Sequence, residues 1–87
     1  MPSSWNYPPE LVDVLLTFGL RPTPTTPPVF VRSALNDLYR YELRRMRDRL
    51  KAGGMPKADY IDLVIATRKR YWPLTLQPPA WEEICRG

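Results

Sequence analysis

The chain has 87 residues, 44% of them hydrophobic, a net charge of +4, one cysteine and no histidine. That composition suits one small domain with a packed core. It excludes wholesale disorder and an internal disulfide, and it removes the commonest general acid–base and metal ligand. No apolar run approaches the ~20 residues needed to span a bilayer, and the start lacks a basic, then apolar, signal sequence, so a soluble cytoplasmic protein without a membrane partner is expected.

Residues 1–7 read as an N-terminal tail carrying Trp5 and Tyr7. The first helix follows in "PPELVDVLLTFG". Pro8 and Pro9 suit a first helical turn and Glu10 complements the positive helix end. Leu11, Val14, Leu15 and Phe18 recur at i, i+3, i+4, i+7 and form one apolar stripe, which Gly19 ends. Residues 21–27 are a Pro/Thr-rich connector, expected to be stiff and largely extended because each residue before a proline is pushed out of the helical region. Thr26 is placed to cap the next helix, with Pro27 at its first position.

The second helix is expected from about Pro27 to Ala52, ended by Gly53 and Gly54. At 100° per residue, Val31, Leu35, Leu38, Tyr39, Leu43, Met46 and Leu50 share one side, with Arg40, Arg44, Arg47 and Lys51 opposite. A third helix, about Pro56 to Trp72, shows a wide apolar face made of Tyr60, Ile61, Leu63, Val64, Ile65, Tyr71 and Trp72. A short fourth, within "PPAWEEICRG", offers Trp81, Ile84 and Cys85 to a core. No strand-like alternation is present.

The predicted fold is therefore all-α and a single domain over residues 1–87. An antiparallel hairpin of two long helices, joined by a short Gly-Gly connection, carries two short flanking helices as a small bundle. Pairing Leu50 with Tyr60 sets Met46 against Val64, Tyr39 against Tyr71 and Glu42 level with Arg68. Glu42 and Arg68 are charges intruding on apolar faces, so a structural ion pair between them is expected. The hairpin faces are too wide to cover each other, and Leu11, Leu15, Phe18 and Trp81 are expected to complete the cover.

Little in the chain looks chemical. Asp59 and Asp62 are too few for a strong hard-cation site and suit the start of a helix. Cys85 has no histidine to activate it and reads as a core residue. Gly53-Gly54 closes a helix rather than cradling phosphate. No enzyme, metal site or cofactor is expected.

All the excess charge lies between Arg40 and Lys51, where six basic residues face Glu42 and Asp48. Arg40, Arg44, Arg47 and Lys51 form a candidate basic surface, which a nucleic-acid-binding accessory protein would turn to phosphates. The same row also serves as the wet side of a helix, diluted by Asp37, Glu42 and Asp48 through i, i+3 and i, i+4 pairing. "RPTPTTP" has the Arg-x-x-Pro-x-x-Pro spacing read by SH3-type grooves, but such strings arise by chance and the segment is read as a stiff linker leading into a helix cap. Aromatics beside arginines are typical of protein-binding hot spots, so Trp5, Tyr7, Trp72 and Trp81 are candidate protein contacts. The expected role is a small non-enzymatic protein-binding module — adaptor, assembly or regulatory factor — with another protein as partner. Nucleic acid is the alternative partner, and a homodimer through the aromatic ends is also expected.

Overall fold

The structure is a computed structural model that describes residues 4–86. Among these, α-helices run over Pro9–Thr17 (α1), Pro28–Lys51 (α2), Lys57–Arg70 (α3) and Pro78–Ile84 (α4). A single 3₁₀ turn occupies Trp72–Thr75 and no strand is present, so the fold is all-helical. No helix among the described residues is long and apolar enough to cross a membrane.

Proline starts these elements and glycine stops the first two. Prolines stand in the first turns of α1, α2, the 3₁₀ turn and α4. There the missing N–H removes a donor that would lack a partner anyway, and the ring presets φ. α1 and α2 end in the same left-handed cap. Gly19 and Gly53 both have φ of 77°. In α1, the Leu20 N–H donates to the Leu15 carbonyl at 2.9 Å and the Gly19 N–H to Leu16 at 3.0 Å. In α2, Gly54 donates to Arg49 at 2.8 Å and Gly53 to Leu50 at 3.0 Å. These paired bonds satisfy last-turn carbonyls and need a residue that tolerates positive φ.

The expected Thr26 cap does not form. Pro27 is the residue before α2, and it caps nothing with its side chain. The Thr26 hydroxyl turns back instead, lying 2.8 Å from the Thr23 hydroxyl and accepting the Thr23 N–H at 3.1 Å. The connector thus folds into a tight turn, closed by the Thr26 N–H on the Thr23 carbonyl at 2.9 Å, where an extended run was expected. Short Thr side chains that bond their own backbone favour such turns.

The core sits at one end of a long molecule, 53 × 20 × 16 Å in extent. Leu11 and Leu15 of α1, Val31 and Leu35 of α2, Tyr71, Trp81 and Cys85 bury together. This head is stitched by side chains that reach backbone. The Trp81 indole N–H donates to the Pro73 carbonyl at 2.9 Å. The Arg32 guanidinium donates to the Leu76 and Leu74 carbonyls at 2.8 and 3.2 Å. The 3₁₀ turn therefore has carbonyls satisfied from both α2 and α4, which a buried turn requires.

Beyond Tyr39 the surroundings change. In the second half of α2 only Met46 is buried, and in α3 only Thr67. We refer to residues 40–51 with 57–66 as the arm. Ile61 and Ile65 are each 48% exposed and Leu63 is 40% exposed. The sequence places all three on a core face. The correction is physical: α1 and α4 cover α2 over its first half only, so the arm has no third layer to bury them. Ile84, expected in the core, is also exposed, while Cys85 beside it is buried.

Candidate binding groove

Arg40, Leu43, Arg44 and Arg47 recur at i, i+3, i+4, i+7 along α2 and line one open groove, with Tyr60 and Val64 of α3 forming the rest. Its volume is about 360 Å³. Leu43, Tyr60 and Val64 supply a half-buried apolar floor, and the three arginines an exposed rim. A second hollow of about 380 Å³ lies on the other side of the same arginines, between Asp37, Arg40, Tyr41 and Arg44. Arg40 and Arg44 therefore stand on a ridge with open space to either side. Lys51, the fourth member of the expected basic surface, is exposed and lines neither hollow.

Among the described residues no carboxylate lies within ion-pair distance of these arginines, although Asp37 lines the second hollow beside Arg40 and Arg44. Among the described residues the ion pair found is Arg70 with Glu42, at 3.5 Å. Asp37 and Asp48, read as diluting the row, make no ion pair with it. Arg45 instead leans over the Tyr41 ring, 5.8 Å from its centroid. The rim is thus a row of guanidinium groups without a direct ion pair beside apolar surface, where planar donors pair well with carboxylate or phosphate.

The arm is attached to the head through a polar and aromatic cluster. The Tyr71 hydroxyl donates to a Glu42 carboxylate oxygen, and the other Glu42 oxygen accepts from Arg70 at 3.5 Å. Arg70 also lies 5.3 Å above the Phe18 ring and 5.9 Å from that of Tyr71. Phe18 stacks on Tyr71 at 4.2 Å, and Tyr39 meets Tyr71 at 5.0 Å. Burial, then the Glu42 hydrogen bond and charge, push the Tyr71 hydroxyl well above its ordinary range, with Arg70 opposing. One turn away the Thr67 hydroxyl contacts the Met46 sulfur at 3.8 Å.

This arrangement corrects the expected Glu42–Arg68 pair. Glu42 is held by Arg70 and Tyr71, and Arg68 is exposed without an ion pair to Glu42. At 100° per residue, Arg68 and Arg70 leave α3 on opposite flanks, and Glu42 lies on the Arg70 side. The expected Tyr39–Tyr71 contact is present. Arg70 carried a usable signal, since it precedes the tyrosine that fixes the register.

The four aromatic contact candidates do not share one surface. Trp81 is fully buried, so it is core rather than contact. Trp5 and Tyr7 are half-buried against the core. The Trp5 N–H donates to the Pro24 carbonyl and the Asn6 N–H to the Cys85 carbonyl, both at 2.7 Å. The Tyr7 hydroxyl donates to the Thr26 carbonyl at 2.5 Å. Burial and the neighbouring Cys85 push that hydroxyl up to about 12. Residues 5–7 of the expected tail are therefore internal ties; residues 1–3 lie outside the described residues. Trp72 is the candidate with open surface, at 38% exposed.

Cys85 is buried and its thiol is pushed up by that burial, away from the thiolate form a nucleophile needs. Asp59 and Asp62 are exposed, and no three His, Cys, Asp or Glu side chains converge among the described residues. No protein-family model, no curated protein and no solved structure matches this chain.

Proposed function

We propose that this chain is a small non-enzymatic protein-binding module of the cytoplasm, and that α2 and α3 form an antiparallel hairpin whose arm is the binding element. The hairpin reading is supported by Glu42 meeting Tyr71 and Met46 meeting Thr67. In those pairs, a later position in one helix meets an earlier one in the other. The short connection between the helices permits that return.

One observation carries the functional reading: the groove whose rim is Arg40, Arg44 and Arg47 and whose floor is Leu43, Tyr60 and Val64. A partner segment that fits it has an apolar stripe for the floor and carboxylates for the rim. An amphipathic acidic helix laid along the arm has both, and helix-in-groove docking anchors such stripes at i, i+3, i+4, i+7. Arginine beside tyrosine is also the composition of energetic hot spots.

Phosphodiester chains are the competing ligand, because the second hollow beside Arg40 and Arg44 leaves their guanidinium groups open on both sides. Salt separates the two readings. A library of amphipathic acidic helical peptides displayed on phage is panned against the whole protein, with Arg44→Glu/Arg47→Glu as counter-selection. Selected peptides should weaken with salt less steeply than an oligonucleotide, which also releases condensed counterions, and should lose affinity when Val64→Asp disrupts the floor. An empty selection, with a random oligonucleotide binding steeply against salt, would replace this reading with the nucleic-acid one.

A further inference from the structure

α3 carries two parallel stripes, and among the described residues only one has side chains that become buried. Tyr60, Val64, Thr67 and Tyr71 form the inner stripe; Thr67 and Tyr71 are buried. About 100° further round the helix lie Ala58, Ile61, Ile65 and Arg68, in the 3-4-3 spacing of a coiled-coil seam, and Trp72 follows just past the helix end as the first residue of the 3₁₀ turn. Ile61 and Ile65 are each 48% exposed and Trp72 is 38% exposed. Scattered exposed apolar residues are ordinary, but aligned ones mark a contact surface.

We infer that this seam is covered by the same seam of a second copy of the chain, running antiparallel across a two-fold axis. The flanking charges select that occupant. Asp62 and Lys69 are exposed, seven residues apart, on one edge of the seam. When Ile61 packs on Trp72 of the second copy and Ile65 on its Arg68, Asp62 falls opposite Lys69 of the second copy. Two-fold symmetry then makes the pair twice. Sliding the pairing by one heptad either way sets Asp62 against Asp62 or Lys69 against Lys69, which repel. A parallel pair would stack Arg68 on Arg68 inside the seam. The antiparallel register lets each Arg68 lay its methylenes along isoleucine and carry its charge to the edge.

The seam spans two heptads, so the interface falls at the small end of specific contacts and the dimer exchanges readily with monomer. Sedimentation equilibrium of the whole protein, from low micromolar to near-millimolar concentration, reads it directly. Wild type should be a reversible dimer. Ile65→Asp should weaken it by at least tenfold, while far-UV circular dichroism stays unchanged because the side chain is exposed. Asp62→Lys alone and Lys69→Asp alone should each weaken it severalfold, and the two together should restore it. A strict monomer overturns the proposal, and so does a dimer indifferent to Ile65→Asp. A double reversal that fails to restore association overturns the antiparallel pairing and with it the self-recognition.

Discussion

In the first half of α2, Val31 and Leu35 are buried beneath α1 and α4. In the second half, Leu43 and Met46 lie beside α3, and of the equally regular Leu43, Met46 and Leu50 only Met46 is buried. One continuous helix thus passes from a three-sided environment into a one-sided one. The head has indole, guanidinium and hydroxyl groups bonded to backbone carbonyls across the fold. The arm has guanidinium groups aimed at solvent. Stability concentrates where layers overlap, and binding surface is left where they do not. That division follows from α1 and α4 being too short to reach the end of α2.

The largest effect expected from this contrast is at Trp81. Trp81→Ala removes a fully buried indole and leaves the Pro73 carbonyl without its donor. Loss of about 3–5 kcal/mol is expected from such a truncation, close to the whole stability of a small domain. Ile65→Ser in the arm, measured at low micromolar concentration, should shift stability by no more than about 0.5 kcal/mol. Urea unfolding of both variants compares them. Equal losses would show that the arm is as tightly coupled to the core as the head.

Alkaline pH should attack the head as well. The Cys85 thiol is held up by burial, the Tyr7 hydroxyl by burial and then Cys85, and the Tyr71 hydroxyl by burial and then Glu42. In each case the folded state favours the neutral, protonated form. Their contribution is therefore intact below the unfolded values, 9.0 for the thiol and 10.0 for the hydroxyls. It is lost as pH rises through the higher folded values, because the unfolded chain ionises first. The urea midpoint should fall progressively from near pH 9 to about pH 12. A midpoint that stays level across that window would place these groups in water rather than in a core.

The two glycine caps sharpen the comparison further. Gly19 and Gly53 share φ of 77° and the same hydrogen-bond pattern, one in the head and one at the tip of the arm. Alanine at either site is strained by about 1–2 kcal/mol. Gly19→Ala should lower the global melting temperature, because Leu20 and Leu15, joined by that cap, pack in or against the core. Gly53→Ala should mainly speed amide hydrogen exchange in the arm. Identical exchange patterns in the two variants would mean that head and arm open as one unit.

The helices were legible in the sequence because prolines and Gly19 and Gly53 mark their ends by simple sterics. The core of the head was legible too: Leu11, Leu15, Val31, Leu35 and Cys85 keep a strict helical period. The rotation of α3 was not. Its inner stripe includes Thr67, which no hydrophobicity argument favours, while the more apolar line through Ile61 and Ile65 faces out. The deciding contacts are Phe18 and Tyr39 against Tyr71, which turn the helix from its far end. Periodicity shows that a face is apolar, but not how many neighbours will come to cover it. For the groove, the row Arg40, Arg44 and Arg47 was evident, whereas Tyr60 and Val64 beside it needed the register.

All three tryptophans belong to the head: Trp5 and Trp81 pack in or against the core, and Trp72 opens the 3₁₀ turn. In the monomer, indole emission consequently reports one end of the molecule and is silent about the other. A tryptophan-monitored melt registers the head, whereas far-UV circular dichroism, dominated by α2 and α3, registers both ends. Two coincident curves would describe a single cooperative unit; two separated ones would give the free energy by which the arm can loosen while the head stays folded.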